Sequence, residues 1–170
     1  RVRKLDYSIQ LSKLFYERFI NNEDITLFSP HEVPELYDAW GSDEFDDLYE
    51  KAERKLSVKK TKINAQELFF DILKERAETG RIYIMNIDHC NTHSSFKDRV
   101  YMSNLCQEIT LPTDPIQHID GTGEIALCIL SAINVGKLNY LDDLEGLCDL
   151  AVRALDEIID HQKYPVKAAE

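Results

Sequence analysis

Ser103-Asn104-Leu105-Cys106-Gln107-Glu108-Ile109 sets an amide, a thiol and a carboxylate at alternate positions. In extended backbone, successive side chains point to opposite faces. Asn104, Cys106 and Glu108 are therefore expected to share one side, and Leu105, Gln107 and Ile109 the other. That grouping offers a hydrogen-bond donor, a sulfur able to act as a nucleophile or a one-electron centre, and a proton acceptor. A base must stand within hydrogen-bond reach of the proton it takes, and a shared face provides for that. A second thiol, Cys128, lies in the apolar stretch Glu124-Ile125-Ala126-Leu127-Cys128-Ile129-Leu130-Ser131. Each residue also has a plainer use. Free cysteine is among the most buried residue types, glutamate on a strand is ordinarily solvated, and asparagine at a strand end commonly bonds backbone. Spacing alone leaves both uses open.

Two further cysteines, Cys90 and Cys148, complete the set of four. His89-Cys90-x-x-His93 could begin a metal site. A structural zinc takes four ligands, however, and no fourth stands out. The plainer reading is a loop packed on its neighbours, with Asp88 and His93 in hydrogen bonds. Cys148 falls on the apolar stripe of the last helix and is assigned to the core. No C-x-x-C pair is present, so a zinc ribbon or thioredoxin-type motif is not expected.

The elements that must position these groups follow from periodicity and caps. Leu5, Ile9, Leu14, Phe15 and Phe19 predict an amphipathic helix ending near Asn21-Asn22. Ser29-Pro30-His31-Glu32 matches a helix start running to Trp40, and a further helix is expected over 43–54. The acidic run within it, Asp43-Glu44 and Asp46-Asp47, reads as a solvated face. Lys55 to Lys62 reads as a solvated connection. Asn64 with Glu67 opens a helix that Gly80 can end in the left-handed conformation. Residues 81–87 alternate as a strand, 88–98 form a polar loop, and 100–111 carry the chemical residues in extended form. Nearly continuous apolar character predicts a strand buried on both faces over 124–135. Leu144, Leu147, Cys148, Ala151, Leu155, Ile158 and Ile159 mark a long helix ending near Gln162. The expected class is α/β: helical over 1–80, strands and loops over 81–136, and a helix within 140–162.

The chain has 170 residues, 44% hydrophobic and 30% charged, which is ordinary for a soluble domain with a core. A net charge of −11 argues against a nucleic-acid-coating surface. No apolar run approaches the ~20 residues that cross a bilayer. The expected location is the cytoplasm, where thiols stay reduced. Arg1 is not a methionine and the last residues lack tail-like composition, so the chain is expected to be an internal piece of a longer protein.

Five blocks in order resemble the large, catalytic subunit of class I ribonucleotide reductases, including those of T-even-type bacteriophages. They are Asp24-Ile25-Thr26-Leu27-Phe28-Ser29-Pro30-His31, Thr79-Gly80-Arg81-Ile82-Tyr83, Asp88-His89-Cys90-Asn91-Thr92-His93-Ser94, Ser103 to Ile109, and Gly123-Glu124-Ile125-Ala126-Leu127-Cys128. The resemblance runs over 1–170. It implies a slice of a ten-stranded α/β barrel made of two five-stranded halves, with a finger loop through its centre. It implies that Cys106 is the finger-loop thiol that becomes a thiyl radical, and that Glu108 takes the 3′-hydroxyl proton of a ribonucleoside diphosphate. Asn104 would hold the sugar hydroxyls, Ser103 would join Asn104 and Glu108 in binding substrate, and Cys128 would be one half of a redox-active disulfide.

The other half of that disulfide lies outside this chain in the family. So do the nucleotide-binding cone, the specificity-site loops, the loop for substrate phosphates, the tyrosine pair that passes on the radical, and the shuttle cysteines. No cofactor is expected on this segment itself. The resemblance implies a metal-containing small subunit, ATP and deoxynucleotide effectors, thioredoxin or glutaredoxin as reductant, and a homodimer of full-length large subunits. It implies no nucleic-acid or membrane partner, and a host-cytoplasmic location if the gene is a phage's. One alternative is a non-catalytic piece of a split reductase that needs partner chains. Another is a small metal-binding module centred on His89, Cys90 and His93.

Overall fold

Asn64 and Gly80 bound the helix whose ends the sequence marks most clearly. The Asn64 Oδ1 accepts from the backbone N–H of Gln66 at 2.9 Å and of Glu67 at 3.2 Å, and the helix runs Ala65–Thr79. Gly80 then closes it at φ 66, a left-handed conformation that costs a residue without Cβ little. The computed structural model describes residues 5–170, so the first four positions of the expected helical stretch lie outside the described residues. The chain divides into two compact units, one ending at Pro112 and the other beginning at Thr113.

In the first unit the order is β1 (Tyr7–Leu11), α1 (Lys13–Asn21), β2 (Asp24–Phe28), α2 (Pro34–Asp38), α3 (Phe45–Arg54), β3 (Lys60–Asn64), α4 (Ala65–Thr79), β4 (Ile82–Asn86) and α5 (Ile87–Thr92). β1 pairs parallel with β4, Tyr7 opposite Ile82 through Leu11 opposite Asn86. β2 pairs antiparallel with β3, Asp24 opposite Asn64 through Phe28 opposite Lys60. The class is mixed α/β, as expected.

Several local expectations are corrected. The predicted first helix is split: Tyr7–Leu11 is a strand and only Lys13–Asn21 is helical. The Ser12 hydroxyl accepts from Phe15 N–H at 3.3 Å and sets the true start. A ladder to β4, far away in sequence, outweighs local periodicity before that point. The second helix starts at Pro34 rather than after Ser29, because Pro34 suits the first helical position. The Ser29 carbonyl instead closes a turn with Glu32 N–H at 3.0 Å. The end of the expected connection, Lys60 to Lys62, instead belongs to the edge strand Lys60–Asn64, whose lysines suit an open edge. The start of the expected 88–98 loop, together with Ile87 from the expected strand, is the short helix Ile87–Thr92.

The core gathers Leu11, Leu14, Phe15, Ile25, Val33, Leu36, Phe45, Tyr49, Ala52 and Ala65. Aromatic edges meet within it: Phe19 and Phe69 lie 5.1 Å apart, and Trp40 and Phe45 lie 4.8 Å apart, both T-shaped. The Tyr49 hydroxyl accepts from Thr26 N–H at 2.7 Å and donates to Thr26 C=O at 2.6 Å. It therefore satisfies both backbone groups of Thr26. Burial pushes the Tyr49 pKa up to about 12, so it remains a neutral donor at ordinary pH. Tyr49→Phe would strand two backbone groups at Thr26, which is 2% exposed. The expected cost is about 2 kcal/mol or more, read by chemical denaturation of the full-length protein. An unchanged midpoint would mean that water takes over both bonds.

The second unit holds α6 (Asp143–His161), as expected, between short 3-10 turns at Val135–Lys137 and Lys167–Ala169. The predicted strand over 124–135 is absent: this segment is irregular, with Leu130 81% exposed. A ladder needs a neighbouring strand, and this unit supplies none among the described residues. Cys148, assigned to the core, is exposed, and no residue of α6 is buried. No helix among the described residues is long and apolar enough to cross a membrane.

Candidate functional site

Three side chains, two of them on α5 and β1, fix the backbone that enters the thiol segment. Asn91, on α5, donates from Nδ2 to Val100 C=O at 3.0 Å and accepts Val100 N–H on Oδ1 at 2.8 Å. Val100 itself is fully buried. Gln10, on β1, donates to Tyr101 C=O at 3.0 Å, while its Oε1 accepts from the Trp40 indole. Arg99 donates to Asp38 C=O at 2.9 Å and lies 5.5 Å from the centre of the Tyr101 ring. Gly41 makes the Asn91 clamp possible. At φ 74, a Cβ there would stand 2.6 Å from Asn91 Nδ2 and 2.8 Å from Ile87 Cγ1. Sequence reasoning gave Asn91 and Gln10 no role. Asn91 stood inside the Asp88-to-Ser94 block, but nothing in the sequence pointed it at Val100.

Beyond this anchor the segment is a closed loop and not extended backbone, which corrects the expected alternation. Gln107 N–H donates to Asn104 C=O at 3.1 Å, and Gln107 takes the left-handed conformation at φ 63. Leu105 and Cys106 occupy the turn so formed. The Asn104 side chain closes the neck, its Oδ1 accepting Ile109 N–H at 3.0 Å. Ser103 Oγ donates to Ile109 C=O and stands 3.1 Å from Asn104 Oδ1. Polar residues that compete with regular ladders build such loops.

The exposure pattern survives this change of backbone. Asn104, Cys106 and Glu108 are all exposed, while Gln107 and Ile109 are partly covered. Leu105, 51% exposed, breaks the alternation. One loop thus presents the amide, the thiol and the carboxylate. The Cys106 thiol is free and exposed in this chain, with no partner in a disulfide. Ser103 is half-buried and already engaged in the neck. Cys128 belongs to the 113–170 unit, where its thiol is free and exposed.

Two concavities flank the loop within the first unit. One, of about 470 Å³, is apolar and walled by Trp40, Phe45, Tyr49, Tyr101 and Met102. The other, of about 450 Å³, is lined by Met85, Asn86, His89, Cys90, His93 and Gln107. Gln107 Oε1 is buried with no hydrogen-bond partner among the described residues. Burial pushes the Cys90 thiol up, away from the reactive thiolate. His93 Nδ1 lies 3.1 Å from Thr92 Oγ1 and 3.2 Å from His89 C=O, and the Asp88 carboxylate accepts Lys13 N–H at the start of α1. Among the described residues, no three His, Cys, Asp or Glu side chains group as a metal site.

The family model of the ribonucleotide reductase barrel domain matches residues 1–170. A ribonucleoside-diphosphate reductase subunit alpha from Haemophilus influenzae is 55% identical over 176 residues, covering 100% of this chain and 23% of the relative. The protein of that name from Buchnera aphidicola of Schizaphis graminum is 52% identical, with the same coverage. That from Enterobacteria phage T4 is 43% identical over 178 residues, again covering 100% of this chain and 23% of the relative. The chain therefore spans about a quarter of the length of these relatives.

Proposed function

The chain belongs to the ribonucleotide reductase barrel-domain family, and from that membership we propose that it forms the catalytic centre of a ribonucleoside-diphosphate reductase large subunit. The reaction replaces the 2′-hydroxyl of a ribonucleoside diphosphate with hydrogen, making the deoxynucleotide needed for DNA synthesis. The observation that carries the reading is the closed loop Ser103–Ile109, which presents Cys106 to solvent between the Asn104 amide and the Glu108 carboxylate.

In this reading the Cys106 thiol gives up one electron and one proton to an oxidising centre in a metal-containing small subunit. The sulfur radical takes the hydrogen atom from C3′, re-forming S–H and leaving a carbon radical. Glu108 accepts the 3′-hydroxyl proton as the 2′ C–O bond breaks and the oxygen leaves as water. The Asn104 amide holds the sugar hydroxyls and stabilises the ketyl-type intermediate by donating to it. Cys128 and a cysteine outside this chain provide two electrons and two protons, which end in water and the new C2′–H bond, and the pair closes to a disulfide. Cys106 then returns its hydrogen atom to C3′, Glu108 returns its proton to the 3′ oxygen, and the sulfur radical left on Cys106 recovers its electron and proton from the small subunit. Thioredoxin or glutaredoxin reopens the disulfide. ATP and deoxynucleotides act at sites outside this chain, and full-length large subunits pair as a homodimer.

Glu108→Gln tests the reading because it keeps the shape and removes the base. In the full-length protein with its small subunit and a dithiol, deoxynucleotide formation is expected to fall by roughly 10²- to 10⁴-fold. Unchanged turnover would remove Glu108 from the mechanism.

A further inference from the structure

We infer that Ser103 is a positioning residue, which acts on the reaction through Ile109 and the Asn104 amide instead of binding substrate itself; the inference rests on the function proposed above. A backbone N–H can only donate, so the group facing Ile109 N–H at 3.0 Å must be the oxygen of the Asn104 amide. Rotating the amide would set donor against donor. Its Nδ2, with no partner among the described residues, is thereby left free to donate outward from an exposed side chain. A donor is what a sugar hydroxyl or a developing ketyl oxygen requires.

Ile109 fixes that orientation only while it stays in place, and its carbonyl is held by Ser103 Oγ. The two side chains thus grip the N–H and the C=O of one residue. They close the loop neck without a strand ladder. A serine hydroxyl carries one proton. Given to Ile109 C=O, with Asn104 Oδ1 at 3.1 Å alongside, that proton is committed to the loop. Without it, Ile109 is free to shift, the amide can rotate, and the donor moves away from the reacting hydroxyls.

The test uses the full-length large subunit with its small subunit and a dithiol. Ser103→Ala is expected to lower kcat on the order of 10- to 100-fold, the scale of a misplaced catalytic group, with KM close to the parent's. Ser103→Thr keeps the hydroxyl and is expected to retain turnover. The double variant Ser103→Ala/Asn104→Ala is expected to be no slower than Asn104→Ala, since the serine acts through the amide. A raised KM with unchanged kcat would overturn the inference in favour of direct substrate binding, and additive losses in the double variant would overturn it in favour of independent action. If the alanine variant does not assemble, Ser103→Cys replaces it: a thiol is a far weaker donor, so retained turnover there would overturn the inference. Cys106→Ser separates the two levels. If it stays active, the proposed function fails; if it is inactive while Ser103→Ala is unimpaired, only the positioning role fails.

Discussion

Cys106→Ser is expected to abolish deoxynucleotide formation by the full-length protein and to leave its thermal midpoint unchanged. The S–H bond is close enough in strength to the ribose C3′–H bond for a hydrogen atom to pass either way. An O–H bond is much stronger, so a serine would neither lose its hydrogen to the small subunit nor hand it back. Within this chain Cys106 is exposed in a turn and contributes no core packing, so exchanging sulfur for oxygen removes no packing contact of this unit. Surface substitutions of this kind usually fall within about 0.5 kcal/mol. Product assays and thermal melts on the same preparation check both halves. Turnover in the serine variant would remove the thiyl step, while a lowered midpoint would show that the thiol also packs.

Arg18→Met is expected to destabilise the first unit by about 2–4 kcal/mol, somewhat below the ~3–5 kcal/mol for breaking a fully buried ion pair, because both partners are part-buried. Arg18 and Glu53 are 12% and 17% exposed and form two parallel bonds of 2.6 Å. The guanidinium also donates to Asp24 C=O at 2.9 Å and lies 5.1 Å from the centre of the Tyr49 ring. Thr26 Oγ1 donates to the same carboxylate at 2.5 Å. The pair thus ties α1 and β2 to α3. Burial alone would raise the Glu53 pKa, but the hydrogen bonds from Arg18 and Thr26 and the guanidinium charge more than reverse it, holding the carboxyl below its usual 4.5. A depressed carboxyl stabilises above its unfolded value. That contribution should therefore persist above about pH 4.5 and disappear as pH falls through the lower folded value. The gap between parent and variant in denaturant titrations should narrow below that range, leaving the part owed to the Asp24 and Tyr49 contacts. A loss under about 1 kcal/mol at neutral pH would mean the pair behaves like a surface one. Arg18→Met combined with Glu53→Met should recover much of the loss, because no charge is then left uncompensated.

What could be read before folding was what chemistry makes local. Asn64 and Gly80 delimited α4 because a capping amide and a residue without Cβ act within their own turn. α6 was legible from its stripe, and β4 from its alternation. β1 was not, because Leu5 and Ile9 fit a helical period equally well, and only the ladder to β4 decides between them. β3 was hidden for a similar reason: Lys60, Thr61 and Lys62 look solvated until β2 pairs with them. The strand expected over 124–135 failed on the same physics in reverse, since apolar residues alone do not make a ladder.

At the site, the sequence by itself determined the chemical inventory: an amide, a thiol and a carboxylate within one short stretch, in a chain that the barrel-domain family model matches throughout. Residue type sets what a group can donate, accept or lose, and needs no partner to do so. How the groups are presented was decided by tertiary structure. Gln10 on β1 and the Asp38 carbonyl that holds Arg99 are distant in sequence from the segment they anchor, and Asn91 reaches it from α5. Within the loop, the left-handed turn at Gln107 replaces the expected extended backbone. Backbone N–H and C=O groups must find partners, and which partners they find depends on what the folded chain brings within about 3 Å.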